Sequence, residues 1–175
     1  MSLTSRPAPE DLPAFYHGYV QQASGADIPD AMRSALQRFH TAVSGMNEEE
    51  GAFRYAPGKW SVKEVLQHVI DCERIFAYRA LRFGRKDHIE LPGFEENEYT
   101  PASMADRRSL DDLVHELELV RSTSTLLFQS FPDESLDQKG IANGKPITVR
   151  AIGWVIAGHC DHHARIIMDR YRLKT

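Results

Sequence analysis

The sequence predicts an all-α fold, a four-helix bundle. Four long segments carry apolar residues at helical spacing. Each opens on a residue suited to cap a helix and closes at a glycine, a proline or the chain's last residues. Nothing alternates in the way a strand ladder would, so the amphipathic helices must bury their faces on one another.

The elements follow in order. Residues 1–25 read as a Pro-containing lead-in, with a short helix over Ala14 to Gln22 that ends before Gly25. The first long helix begins at Asp27, a good N-cap, with Pro29 in its first turn. Ile28, Met32, Leu36, Phe39 and Val43 form its stripe, and Gly45 stops it. The second follows the Pro57-Gly58 turn. Ser61 and Glu64 make a capping box, and Trp60 is placed to staple against Val65. Val62, Val65, Val69, Cys72 and Phe76 line one face, and Gly84 ends the helix.

Lys86 to Arg108 reads as a long loop containing Pro92-Gly93-Phe94-Glu95-Glu96-Asn97. Loops of that length are often functional. The third long helix runs from Leu110, capped by Ser109, to Ser130, and Pro132 closes it. Leu113, Leu117, Val120, Ser124 and Leu127 trace its inner face. A turn at Asn143-Gly144 leads to the fourth, capped by Thr148 and running to about Tyr171. The whole span 1–175 reads as one domain.

Composition narrows the function. The chain is 42% hydrophobic and 26% charged, as soluble globular proteins are. A formal net charge of -4 argues against nucleic acid as a partner, since phosphate binding draws on a Lys/Arg surplus. Arg79, Arg82, Arg85 and Lys86 read as a solvated helix end. There is no apolar run long enough to span a membrane and no signal-peptide pattern, so a cytoplasmic location is expected. The two cysteines, Cys72 and Cys160, are then expected as reduced thiols.

The chemistry lies in the histidines. His17, His40, His88 and His115 sit in polar or helix-surface contexts. His159 and His163 are four residues apart on the fourth helix, one turn apart on one face, and imidazoles so placed can share a metal ion. They fall on the stripe of Ile152, Val155, Ile156, Ile166 and Ile167, whereas His162 falls at its edge. His68 lies on the inward stripe of the second helix, between Val65 and Cys72. Three inward histidines would make an N3 site with positions left open, as catalytic zinc sites have. Cys72, four residues after His68, is a rival ligand. Imidazole suits zinc, nickel, copper or iron, with zinc or nickel expected first.

Two segments carry a family resemblance: Arg54-Tyr55-Ala56-Pro57-Gly58-Lys59-Trp60-Ser61-Val62-Lys63-Glu64-Val65-Leu66-Gln67-His68-Val69-Ile70-Asp71, and Ala157-Gly158-His159-Cys160-Asp161-His162-His163. With Glu73-Arg74, the Pro92-Gly93-Phe94 loop and Asn143-Gly144, the chain resembles the DinB-like, YfiT-type superfamily of metal-dependent enzymes over nearly its whole length. The resemblance implies helices running up, down, down, up, a metal triad of His68, His159 and His163, and a homodimer. Members include thiol transferases that use bacillithiol and isomerases that use mycothiol.

The expected function is therefore that of a metal-dependent thiol transferase or hydrolase acting on a small molecule, with an open three-histidine site. A low-molecular-weight thiol is one candidate substrate. Asp71, Glu73 and Glu95 are candidate catalytic carboxylates, and Asp161 and His162 candidate partners for the ligand rings. No Gly-x-Ser-x-Gly motif points to a serine hydrolase. The alternative is a non-catalytic protein that binds a metal or small ligand in a stress response.

Overall fold

The computed structural model describes residues 3–172. Each expected cap is in place. Asp27 accepts from the Asp30 amide (2.7 Å) and opens α2, Ile28–Val43. Ser61 accepts from the Glu64 amide (3.1 Å), and Glu64 reaches back to the Ser61 amide (2.8 Å), opening α4, Val62–Gly84. Ser109 caps α6, Leu110–Gln129, and Thr148 caps α8, Val149–Ile166. In each case a side-chain oxygen satisfies an amide that the first turn leaves unpaired. α8 ends earlier than expected and continues as a wider π-type turn, Ile167–Tyr171.

The four long helices form a ring in which α2 and α4 lie diagonally opposite, each flanked by α6 and α8. Polar contacts at their ends set their directions. Ile28, which opens α2, abuts Gly153 near the start of α8, while Arg172 bonds the carbonyls of Ala42 (3.1 Å) and Ser44 (2.6 Å) at the end of α2. α2 and α8 therefore run parallel. Tyr171 donates to the Trp60 carbonyl (2.7 Å), so α4 starts where α8 ends. Arg108 reaches Gln67 (3.0 Å) at the starts of α6 and α4, and Gly84 meets Phe131 at their ends. The order is thus up, down, down, up. Fully buried Phe39, Phe83, Phe128 and Trp154 fill the centre.

Short elements complete the chain: α1 (His17–Gln22), α3 (Glu48–Gly51), α5 (Glu96–Ser103) and α7 (Asp133–Leu136). Two depart from the expectation. The long loop contains α5, and residues 139–148 form an antiparallel hairpin, β1 (Lys139–Ala142) with β2 (Lys145–Thr148), where no strand was expected. Asn143 and Gly144 turn it, with φ of 52° and 68°, the left-handed pair that a tight two-residue hairpin needs. Leu91 bridges to Ala142, its amide bonding the Ile141 carbonyl (2.9 Å), so the loop is pinned to the hairpin. No helix among the described residues is long and apolar enough to cross a membrane.

Arg79 is a further correction. It was grouped with a solvated helix end, yet it is buried and donates to the Pro92 carbonyl (2.9 Å). It shares the inward face of α4 with Cys72, Phe76 and Phe83, at helical spacing from each.

Candidate metal centre

His68 leaves α4 and meets His159 of α8 with their Nε2 atoms 3.1 Å apart. His163, one turn beyond His159, brings its own Nε2 to 3.1 Å from the same His159 atom. All three rings are buried. The Trp60 ring lies 4.8 Å from the His68 ring, and Tyr19 packs edge-on to His159 at 5.5 Å. Trp60 thus packs on the histidine, and it also shares a cavity wall with Val65, its expected staple partner.

Burial governs the charge of these rings. It pulls His68 down to about 4, with repulsion from His162 adding to it. It holds His159 and His163 well below the ordinary imidazole range, and the neighbouring imidazoles push the same way. All three are neutral at neutral pH, and a neutral imidazole nitrogen carries either one proton or one lone pair. His159 Nε2 therefore has one good hydrogen bond to make and two nitrogens facing it. A divalent ion resolves this mismatch. Two nitrogens each about 2.0–2.1 Å from one ion stand roughly 2.9–3.4 Å apart across octahedral to tetrahedral angles. The observed 3.1 Å separations of His159 from His68 and from His163 lie in that range, so each of these two pairs fits such an ion.

Cys72 comes close as well: donor atoms of His68, Cys72 and His159 all lie within 4.8 Å of one another. Its Sγ is 3.7 Å from both ring nitrogens of His68, so it lies beside or over the ring, away from the line of either lone pair. Burial pushes its thiol well up, and Glu96 and Asp71 add to this. Cys160 is buried, and both cysteines are free thiols.

The carboxylates proposed from sequence are mostly engaged elsewhere. Glu73 is buried and chelated by Arg121, with bonds of 2.7, 2.9 and 3.1 Å. Asp71 accepts from Gln67 (2.9 Å) and sits among Arg74, Glu116 and Arg108. Glu95 caps α5 at the surface by accepting from the Asn97 amide (3.2 Å). Asp161 is held by Arg38 of α2 and approached by Arg165 at 3.5 Å, so it does not orient a ligand ring. His162 is half-buried, its ring 5.1 Å from that of His163 and 5.2 Å from Tyr19. Nδ1 of His163 is buried without a hydrogen-bond partner.

Two cavities, each of about 260 Å³, reach the cluster from different sides. The first has His159 and Cys72 in its wall, with Tyr16, Tyr19, Phe76, Arg79, Phe94, Glu96 and Lys145 around them. The second has His163 with Trp60, Tyr55, Asn97 and Tyr171. Successive residues at the start of α5, Glu96 and Asn97, face one cavity each. Burial pushes Tyr16 up to about 12 and raises Tyr19, so both phenols keep their protons. The sequence reading missed Tyr16, Tyr19, Arg79 and Lys145, and did not separate Glu96 from the loop carboxylates beside it.

Known proteins agree with this architecture. Residues 31–167 match the family model of the DinB superfamily. A Geobacillus thermodenitrificans protein named "Putative metal-dependent hydrolase" is 34% identical over 85 residues, 48% of this chain; the match spans 42% of that relative's length. A solved structure described as "YfiT from Bacillus subtilis is a probable metal-dependent hydrolase with an unusual four-helix bundle topology" superposes with a TM-score of 0.72 at 16% identity, over 96% of this chain and 92% of that one. That likeness concerns the fold. With the model match covering most of its length, the chain belongs to the DinB superfamily.

Proposed function

We propose that the chain is a metal-dependent enzyme acting on a small molecule, with one divalent ion held by His68, His159 and His163. One observation carries this reading: the Nε2 atoms of His68 and His163 both close to 3.1 Å on that of His159 in the interior, where a neutral His159 nitrogen has one good hydrogen bond to make and two partners facing it. A divalent ion bound there supplies Lewis acidity, which makes a water or a thiol nucleophilic at neutral pH.

The chain's own residues have separable tasks. Tyr16 and Tyr19, kept protonated, offer O–H donors inside the first cavity. Glu96 is the carboxylate in that wall and lies exposed, where it can take a proton from a nucleophile and pass it to solvent. Phe94 lines the same cavity from the loop side.

Hydrolysis of a small ester or amide is the first reaction to expect, in keeping with the name of the Geobacillus relative. Transfer of a low-molecular-weight thiol to an electrophile would use the same residues. Zinc or nickel is the ion expected. Metal analysis of the purified protein beside His68→Ala, His159→Ala and His163→Ala tests the centre. Wild type should hold about one ion per chain and each variant far less; full occupancy in all three variants would sink the assignment. Ester, amide and thiol–electrophile panels on the loaded wild type then separate hydrolysis from transfer, and unchanged ligand throughout would make the chain a binder.

A further inference from the structure

Four cationic side chains are buried among the described residues: Lys63, Arg79, Arg121 and Arg150. Three have a carboxylate. Lys63 meets Glu48, Arg121 meets Glu73 at 2.7 Å, and Arg150 meets Asp137 at 2.7 Å. Arg79 has none. Around it stand the Pro92 carbonyl at 2.9 Å, the Tyr16 phenol, the protonated Cys72 thiol, and the faces of Phe76 and Phe94, each 5.9 Å from the guanidinium. Those groups accept hydrogen bonds or offer π density, but none carries an opposite charge. A buried charge without a counter-ion is costly, and proteins ordinarily pair it.

Arg79 lines the same cavity as His159. The walls between them are aromatic: Tyr16, Tyr19, Phe76 and Phe94. Lys145 supplies a second positive charge from β2. Glu96 is the one carboxylate of that wall; it is exposed, and its field falls on Tyr19 and Cys72. At about 260 Å³ the space falls just below the ~300–1,000 Å³ of drug-sized pockets.

We infer that this cavity takes a small carboxylic acid with a flat apolar body, its carboxylate accepting from Arg79 and its body lying between the aromatic side chains toward His159. A guanidinium fork matches a carboxylate in two parallel hydrogen bonds. The inference names the substrate class for the proposed metal centre and rests on that reading for the reaction. The anion site itself stands on Arg79 and is separable from the ion.

The test uses two fluorinated probes, 4-fluorobenzoate and its uncharged isostere 4-fluorobenzamide, followed by fluorine NMR titration. The full-length protein is used metal-free, zinc-loaded, and as Arg79→Gln and Arg79→Lys, with melting and zinc content recorded for each. Wild type should bind the acid at least tenfold more tightly than the amide in both metal states. Arg79→Gln should lose that preference, and Arg79→Lys should keep part of it. Equal binding of acid and amide by wild type overturns the inference, and this comparison holds even where a variant fails to fold. Acid preference retained in zinc-loaded Arg79→Gln but absent from metal-free wild type assigns the carboxylate to the ion and also overturns it. Inorganic phosphate displacing the acid at lower concentration than benzoate itself would overturn the carboxylate assignment. Acid preference in a protein that takes up no zinc would leave the anion site standing and remove the metal reading alone.

Discussion

The carbonyl oxygen of Tyr19 lies where a side chain on Gly158 would be: a methyl group there would stand 2.0 Å from that oxygen. The missing side chain lets α1 close onto α8 and sets Tyr19 against the neighbouring His159. Gly158→Ala should therefore destabilise the protein. The obstacle is backbone, which cannot swing aside, so the overpacking cost of about 1–3 kcal/mol should outweigh the ~1 kcal/mol that alanine gains in a helix. Thermal unfolding reads this, and metal affinity should fall with it as Tyr19 is pushed off His159. An unchanged melting temperature would contradict the packing argument.

Arg121 and Glu73 form a buried pair with bidentate geometry. Removing one partner strands the other's charge in the core. Glu73→Ala should cost about 3–5 kcal/mol in denaturant unfolding. The folded fraction should still bind metal normally, which a catalytic or ligating role for Glu73 would not predict.

In the proposed centre, Cys72 and His163 are rival donors for the third position on the ion. Cys72→Ala should keep full metal content, and His163→Ala should lose most of it. Cobalt in the wild-type site should show no intense thiolate charge-transfer absorption. Its presence, together with metal loss in Cys72→Ala, would replace His163 with Cys72 in the donor set.

Acid should weaken the metal-free protein. The folded state holds His68 down to about 4, whereas the unfolded chain titrates near 6.5. The stability associated with the neutral ring is fully present above 6.5 and is lost as pH falls toward about 4, because protons bind the unfolded chain first. His159 and His163 shift in the same direction. Melting temperatures in chelator should thus drop across that window, and His68→Leu should flatten part of the slope. A pH-independent melting temperature would show that the rings are not held neutral.

Glu96 has a simpler test. Glu96→Gln should lower turnover of any substrate found by several-fold or more, with metal content and melting unchanged. Glu95→Gln, at the cap of α5, should leave turnover intact.

Much of this molecule was readable from residue order. The four caps and stripes are local signals, and they located α2, α4, α6 and α8 within a few residues. The inward stripe also separated His163, which is buried, from half-buried His162. The hairpin was hidden because the buried positions of β1 are Gly140 and Ala142, with apolar Ile141 between them 44% exposed, and because β2 does not alternate: exposed Lys145 and Pro146 precede buried Ile147 and Thr148. α5 was hidden because it has no apolar stripe and contains Pro101. Nothing in a run of adjacent acids says that Glu96 faces the cavity; the packing of α5 on α4 is a long-range contact that residue order does not show. Arg79 was legible in principle, since it falls on the face marked by Cys72, Phe76 and Phe83, but three neighbouring cations gave it the look of a solvated end.

The three rings come from only two helices, and this divides the proposed centre unequally. His159 and His163 ride on one helical turn, so their separation is dictated by backbone geometry and survives any rearrangement that leaves α8 intact. The position of His68 depends on how α4 seats against α8. The ion would then act as a gauge of that seating: a slide of α4 would detune one protein donor out of three and leave the two on α8 to hold it. A mutation at Tyr171, whose hydroxyl ties the chain after α8 to the Trp60 carbonyl just before α4, would register first as altered ion affinity, before any loss of helical content.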